Sequence, residues 1–260
     1  MGKGIGDDLR QVGVVTKYEL YKHLRSKRLF VFIGLAALMI ILITVLFLYN
    51  GMPDDPTEFI LWYATPVNLL VIVGVSLFCA PAIASEFEER TALLIFPRPM
   101  RKISFLTGKM LACYIMCGLV IVLYYVICMI MSLIFSTGLD MNVLGSLGLA
   151  LLFMLGAGGF AFLVSSLFKK GSTSIVITIA TLLLIFSIID MMYMAFVGEP
   201  FFSITYAAGD ITAIIKDTLN FGMFTIDLDH LGARAATVVM LAWFAVTTAL
   251  AAFFFQRREF

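Results

Sequence analysis

Six apolar runs constrain what this chain can fold into. Residues 29–53, 59–85, 110–139, 141–168, 171–197 and 235–256 are each long enough for a membrane span, which needs about 20 mostly apolar residues. Five of the runs contain no Asp, Glu, Lys or Arg, and the other contains only Asp190. Lipid offers no water to backbone N–H and C=O groups, so each run must close its hydrogen bonds within itself, as a helix. No run shows the alternation over about ten residues that marks a membrane barrel. The expected class is an all-α membrane protein of one transmembrane domain, 1–260. Its spans are placed near 29–50, 59–84, 108–135, 143–168, 172–197 and 235–256.

Charge placement orients these spans. Six crossings put both termini on one side. If that side is the cytoplasm, the inner segments 1–28, 86–109, 169–170 and 257–260 hold 16 of the 18 Lys and Arg. The outer segments keep only Lys216 and Arg234, with nine acidic residues. The positive-inside rule then predicts N-in and C-in, in the cell membrane. The first 28 residues are too charged for a secretory signal, and span 1 is read as a retained helix.

Residues 12–28, VGVVTKYELYKHLRSKR, are basic, with Val14, Tyr18 and Tyr21 near helical spacing. They predict an amphipathic helix on the inner membrane surface. Their closeness to a span argues against nucleic acid as the partner. Lys169, Lys170 and Gly171 make a minimal inner turn. The long outer segment 198–234 contains DITAIIKDTLNFG, residues 210–222. Ile211, Ile214, Ile215 and Leu219 line one face, Asp210 can cap and Gly222 can end it, so a short outer helix before span 6 is expected. Gly145, Gly148, Gly156 and Gly159 thin span 4, and Ala242, Ala245, Ala249 and Ala252 follow helical spacing in span 6. Such faces let helices approach closely, within the chain or across a dimer.

The sequence holds no recognisable catalytic set. Gly108-Lys109 lacks the glycine loop of a Walker motif. His23 and His230 form no zinc-protease pair. Cys113 and Cys117 share a helix face at a spacing two metal ligands could use, but no His or acid accompanies them in that span, so Cys79, Cys113, Cys117 and Cys128 are read as small buried apolar residues. Met191, Met192 and Met194 are read as apolar filling rather than copper ligands. Asp190 is the one ionisable group in a span. Intramembrane acids are costly and point to function, here a substrate path. Its place near the outer end of span 5, close to the aqueous boundary, favours a structural or interfacial role over that one.

The segment ASEFEERTALLIFPRPMRKISFLTGK, residues 84–109, breaks the apolar sequence between spans 2 and 3. Ser85 and Glu88 fit a capping box. Glu86, Glu88 and Glu89 crowd a first helical turn, where the dipole favours anions. Phe87, Thr91, Leu94 and Ile95 fall near one face. Pro97 and Pro99 stop the helix, and Arg101, Lys102 and Lys109 lead into span 3. A capped helix over 85–99, displayed on the cytoplasmic face, is suited to dock on a soluble partner.

This segment resembles the cytoplasmic segment of ABC transporter permeases of the type-2 exporter class. The acidic start, Thr91, Leu93-Leu94, Pro99, Arg101-Lys102 and Gly108-Lys109 match in order and approximate spacing. Arg90 replaces the usual glycine, and Pro97 is extra. The basic N-terminal helix, six spans and long outer segment are similar too. The resemblance implies a permease subunit that dimerises, as homo- or heterodimer, and pairs with two copies of a separate ABC ATPase. ATP and Mg would be bound there, with no cofactor, catalytic residue or metal in this chain. It also implies that the helix after span 2 is a coupling helix, which assigns Glu86, Phe87, Glu88, Glu89, Arg90, Thr91, Leu94, Pro97, Pro99 and Arg101 to ATPase coupling. The alternatives are an ATP-independent channel or secondary carrier, and a membrane assembly factor that moves nothing.

Overall fold

The computed structural model describes residues 5–88, 102–136, 138–216, 218–220, 225–227 and 231–257. Six helices in it are long and apolar enough to cross a membrane: Lys27–Tyr49, Pro56–Phe78, Lys102–Phe135, Asn142–Leu167, Gly171–Phe196 and Ala233–Arg257. They are spans 1 to 6 below. The predicted boundaries differ most at span 2, which ends at Phe78 rather than 84, and at span 3, which starts six residues before 108.

Local chemistry explains the ends. Ser26 caps span 1, its Oγ accepting from the Arg28 N–H at 3.2 Å, and Gly51 ends it at φ 94°. Asp55 caps span 2 ahead of Pro56, accepting from the Thr57 N–H at 3.0 Å. Pro66 has no N–H to continue the ladder, so span 2 breaks into Pro56–Ala64 and Val67–Phe78. Span 5 carries a π-helical turn at Thr181–Ile185. Span 3 runs 34 residues without a break, about 51 Å at 1.5 Å per residue. The hydrocarbon core is about 30 Å thick. Span 3 therefore reaches beyond it.

Spans 2, 3 and 4 hold most of the core. Gly74 of span 2 sits so close to Phe32 and Cys117 that a Cβ there would lie 2.5 Å from the Phe32 ring. Tyr124 donates to the Tyr63 carbonyl at 2.7 Å, and Thr44 shares a 2.8 Å bond with the Tyr63 hydroxyl, tying spans 1, 2 and 3. Span 1 buries one stripe, Leu29, Phe32, Ala36, Met39 and Phe47, while its other faces are exposed. Span 5 buries only Gly171, Ser174, Thr178 and Leu182. Its outer half, Phe186–Phe196, buries nothing.

Gly145, Gly156 and Gly159 of span 4 are closely packed, whereas Gly148 is exposed with nothing against it. A Cβ at Gly159 would lie 2.4 Å from Thr247 Oγ1, and one at Gly156 would lie 3.0 Å from the Met240 carbonyl. The matching face of span 6 is not the alanine stripe. Ala236, Met240, Thr247 and Ala251 are buried, while Ala242, Ala245 and Ala249 are exposed. Spacing marked only the alanine face of that helix, and it is contact with span 4 that selects the other.

The outer segment departs from its prediction. In place of one helix over 210–222 there are two single turns, Ile204–Ala207 and Asp210–Ala213, then an antiparallel ribbon pairing Thr218–Asn220 with Thr225–Asp227. Gly222 lies outside the described residues. Asp210 does not cap its own helix. Its two oxygens accept from the Leu231 and Gly232 N–H groups, at 3.0 and 2.9 Å, just before span 6. The apolar face that suggested a helix is instead used at close range. Ile211 and Ile215 are buried, and the Ile214 side chain lies against Gly145. Thr and Ile in the following strands favour extended backbone.

The N-terminal helix runs Ile5–Leu24, starting and ending earlier than 12–28. Val14, Tyr18 and Tyr21 are exposed, consistent with an interfacial face. Val15, Glu19 and His23, at i, i+4 and i+8, face span 3. Gly108 permits the approach: a Cβ there would lie 2.8 Å from Val15 Cβ, and Thr16 Oγ1 donates to the Gly108 carbonyl at 3.1 Å.

Candidate functional site

Span 2 ends in a turn at Cys79–Ile83 that leads into the short helix Ala84–Glu88. The Ser85 N–H donates to the Pro81 carbonyl at 2.9 Å, so the helix begins before Ser85. The expected Ser85–Glu88 capping box is therefore not formed. Ser165, near the end of span 4, supplies the cap instead. Its Oγ accepts from the Ile83 and Ala84 N–H groups at 3.0 and 3.1 Å. Glu88, freed from the box, reaches span 5, where Oε2 accepts from the Gly171 N–H at 3.0 Å. Gly171 is the first residue of that span, so the carboxylate satisfies an orphan helix donor and meets the positive dipole end.

Glu86 points inward. Its Oε1 receives Lys109 Nζ at 2.7 Å and Lys22 Nζ at 3.4 Å. Lys109 Nζ also lies 2.6 Å from Glu19 Oε1. The Lys109 side chain is only 2% exposed, whereas that of Lys22 is 52% exposed. A buried ammonium held between two carboxylates is a high-stakes arrangement: paired, its charge is compensated, and unpaired, it costs several kcal/mol. Beside it His23 is buried, edge-on to Phe78 at 5.3 Å, with Nε2 3.5 Å from Cys113 Sγ. Cys113 Sγ donates to the Phe78 carbonyl at 3.3 Å. All four cysteines are free and buried. Among the described residues no group of three His, Cys, Asp or Glu could hold a metal ion.

Five elements thus converge within one helical turn of Glu86: the N-terminal helix through Glu19 and Lys22, the end of span 2, the start of span 3 through Lys109, the end of span 4 through Ser165, and the start of span 5 through Gly171. A force applied to Ala84–Glu88 would be felt by all of them. Of the residues assigned to coupling, Glu86 and Glu88 are placed here. Phe87 is in the helix, but its side chain lies outside the described residues, as do Glu89, Arg90, Thr91, Leu94, Pro97, Pro99 and Arg101.

Sequence reasoning missed Glu19, Ser165 and the inward role of Lys109. One signal was visible: Glu19 is the lone acid among the basic residues of 12–28, and Lys22 and His23 follow it at i+3 and i+4. Nothing in the sequence pairs Ser165 with residue 83.

Asp190 stands apart, on the outer half of span 5. Thr205 Oγ1 donates to Asp190 Oδ2, and Ser203 Oγ lies 2.9 Å from Thr205 Oγ1. The aspartate ties span 5 to the outer segment. Among the described residues Asp190 Oδ1, shielded from solvent, has no hydrogen-bond partner.

No curated relative matches the chain. The family described as "ABC-2 family transporter protein" matches residues 15–187, which takes in the N-terminal helix from Val15, spans 1 to 4 and most of span 5. The match covers most of the chain and accords with its six membrane-length helices: the chain is a multi-pass membrane protein of the ABC-2 transporter family.

Proposed function

We propose that the chain is the membrane-spanning subunit of an ATP-driven exporter, working as a dimer with two copies of a cytoplasmic ABC ATPase that acts on the helix after span 2. One observation carries the reading. The carboxylates of that helix are tied to the N-terminal helix, span 3 and span 5, so a push from outside the membrane would be divided among several spans rather than absorbed by a loop. In this reading Glu86 and Glu88 hold the helix to its own spans. Phe87, Glu89, Arg90, Thr91, Leu94 and the Pro97–Arg101 corner meet the ATPase, and Asp190 sits on or beside the substrate path. The basic ends of the chain face the cytoplasm of the cell membrane.

The test is purification of the tagged chain from membranes of the cells that make it. A soluble ATPase at one copy per permease chain is expected. The substitution Leu94→Asp should abolish that co-purification while the chain still inserts and elutes as a folded species. A chain that carries no ATPase, or one whose substrate flux survives ATP depletion, would sink the proposal.

A further inference from the structure

Two cavities line span 1 at different depths, and their chemistries differ. The first, of about 170 Å³, lies where the N-terminal helix meets spans 1, 2 and 3, lined among others by Lys22, His23, Ser26, Arg28 and Lys109. The second, of about 240 Å³, lies between spans 1 and 3, lined by Ile33, Ala36, Ala37, Ile40, Val120, Tyr124 and their neighbours, and presents no polar surface.

Charge decides what suits the first. Lys22, Arg28 and Lys109 line it with Glu19, and Glu86 is the direct partner of both lysines. Among the described residues, these three cations against two carboxylates leave one positive charge. The lysines are already engaged. The Arg28 guanidinium, half-buried at the cavity wall, makes no ion pair among the described residues. A guanidinium is the side chain best matched to a phosphate, through two parallel N–H···O bonds. A phosphodiester brings one negative charge, the amount that balances the site.

Depth decides the rest. At 1.5 Å per residue, Ile33 lies about 10 Å and Ile41 about 22 Å along the span from Ser26. One leaflet of the hydrocarbon core is about 15 Å deep. The apolar groove therefore begins just below the phosphate level and follows acyl depth. Basic pockets between spans at a membrane surface take lipid headgroups, and Tyr18 and Tyr21 beside this one are exposed as interfacial anchors are.

We propose that this junction holds one anionic phospholipid, its phosphodiester in the cation-lined cavity against Arg28 and one acyl chain in the groove between spans 1 and 3. The lipid comes from the leaflet bordering the N-terminal helix. It fills the angle between that helix and span 1, so it would act as a fixed part of the fold there. The proposal does not depend on the ATPase: a chain with no partner would bind the same lipid.

The test counts lipids bound to the full chain by native mass spectrometry after exchange into lipid-free detergent. The probes are dioleoyl phosphatidylglycerol, dioleoyl phosphatidylcholine, dihexanoyl phosphatidylglycerol and inorganic phosphate. One tightly held dioleoyl phosphatidylglycerol per chain is expected, retained well above phosphatidylcholine and displaced poorly by the short-chain lipid or by phosphate. Arg28→Gln should weaken its retention about tenfold or more, the loss of a hydrogen bond to a charged group. Ala37→Phe, which fills the groove, should remove the advantage of dioleoyl over dihexanoyl chains. Equal retention of phosphatidylglycerol and phosphatidylcholine by the unmodified chain overturns the proposal without any variant. So does displacement by millimolar inorganic phosphate with no dependence on chain length, which would make the cavity a free-phosphate site.

Discussion

Replacing Lys109 by Met should be the most damaging single change at the inner surface. The methionine keeps the length and apolar stem but removes the charge between Glu19 Oε1 and Glu86 Oε1, now 2.6 and 2.7 Å from Nζ. Both carboxylates are largely shielded, with side chains 15% and 10% exposed. Breaking a buried pair by removing one partner costs about 3–5 kcal/mol, because the remaining charge is left uncompensated. Here Glu19 loses its close partner, and Glu86 loses the nearer of two, with Lys22 still 3.4 Å from its Oε1. For a chain of this size about 1 kcal/mol moves the melting temperature by about 2–4 °C, so the expected fall is on the order of 10 °C. Lys22 gives the internal control. Its ammonium touches the same Glu86 oxygen at 3.4 Å, but its side chain is 52% exposed. Such a pair contributes at most about 1 kcal/mol, less in salt, so Lys22→Met should shift the melt by only a few degrees. The assay is loss of the folded elution peak after heating in detergent, at two salt concentrations. If the two variants melt together, within about 2 °C of the unmodified chain, then burial does not govern this cluster and the reasoning fails. A further check is Glu19→Gln with Lys109→Met: removing the Glu19 charge that has lost its lysine should recover part of the loss.

Three further outcomes follow from close contacts. Gly108→Ala places a methyl against Val15, at a cost of about 1–3 kcal/mol for overpacking; the N-terminal helix should then be cut faster by protease, and Val15→Ala in the same chain, which removes the Cγ1 contact but keeps the Cβ, should restore protection only in part. Gly159→Ala should destabilise the packing of spans 4 and 6 by a similar amount, with partial rescue by Thr247→Ala, read as a melting shift. Asp210→Ala removes the acceptor for two backbone N–H groups ahead of span 6; about 2 kcal/mol or more should be lost, and hydrogen exchange at Leu231 and Gly232 should rise.

The spans were legible because lipid imposes a length and a composition that stand out in any single sequence. Their ends were less so, since a helix end is decided by whichever acceptor reaches its free N–H groups. Ser85 and Glu88 have the spacing of a capping box, yet Ser165 from another span caps the helix and Glu88 serves the next span. The 210–222 segment failed for a related reason. Ile211, Ile214 and Ile215 mark a face that must be buried, and periodicity reads this as a helix of ordinary length. Two single turns followed by a ribbon bury it as well, and the choice rests on contacts outside the segment, of Ile214 with Gly145 and of Asp210 with the Leu231 and Gly232 N–H groups. The N-terminal helix was read on its membrane side through Val14, Tyr18 and Tyr21. Its other side, through Val15, Glu19 and His23, became meaningful only beside Gly108 and Lys109.

Span 3 differs in mechanical kind from spans 2 and 5. Span 2 is broken at Pro66 and span 5 loosened by a π-helical turn, so each can bend within its length. Span 3 is continuous from Lys102 to Phe135. Its inner end carries Lys109, and sixteen residues on, Tyr125 meets Ser146, whose hydroxyl donates to the Ile211 carbonyl of the outer segment. That distance is about 24 Å along one stiff rod. A tilt of about 5° about its midpoint would swing Lys109 and Tyr125 about 1 Å each in opposite directions, through rigid geometry alone. A lever of this kind needs no chain of intermediate rearrangements between its two ends.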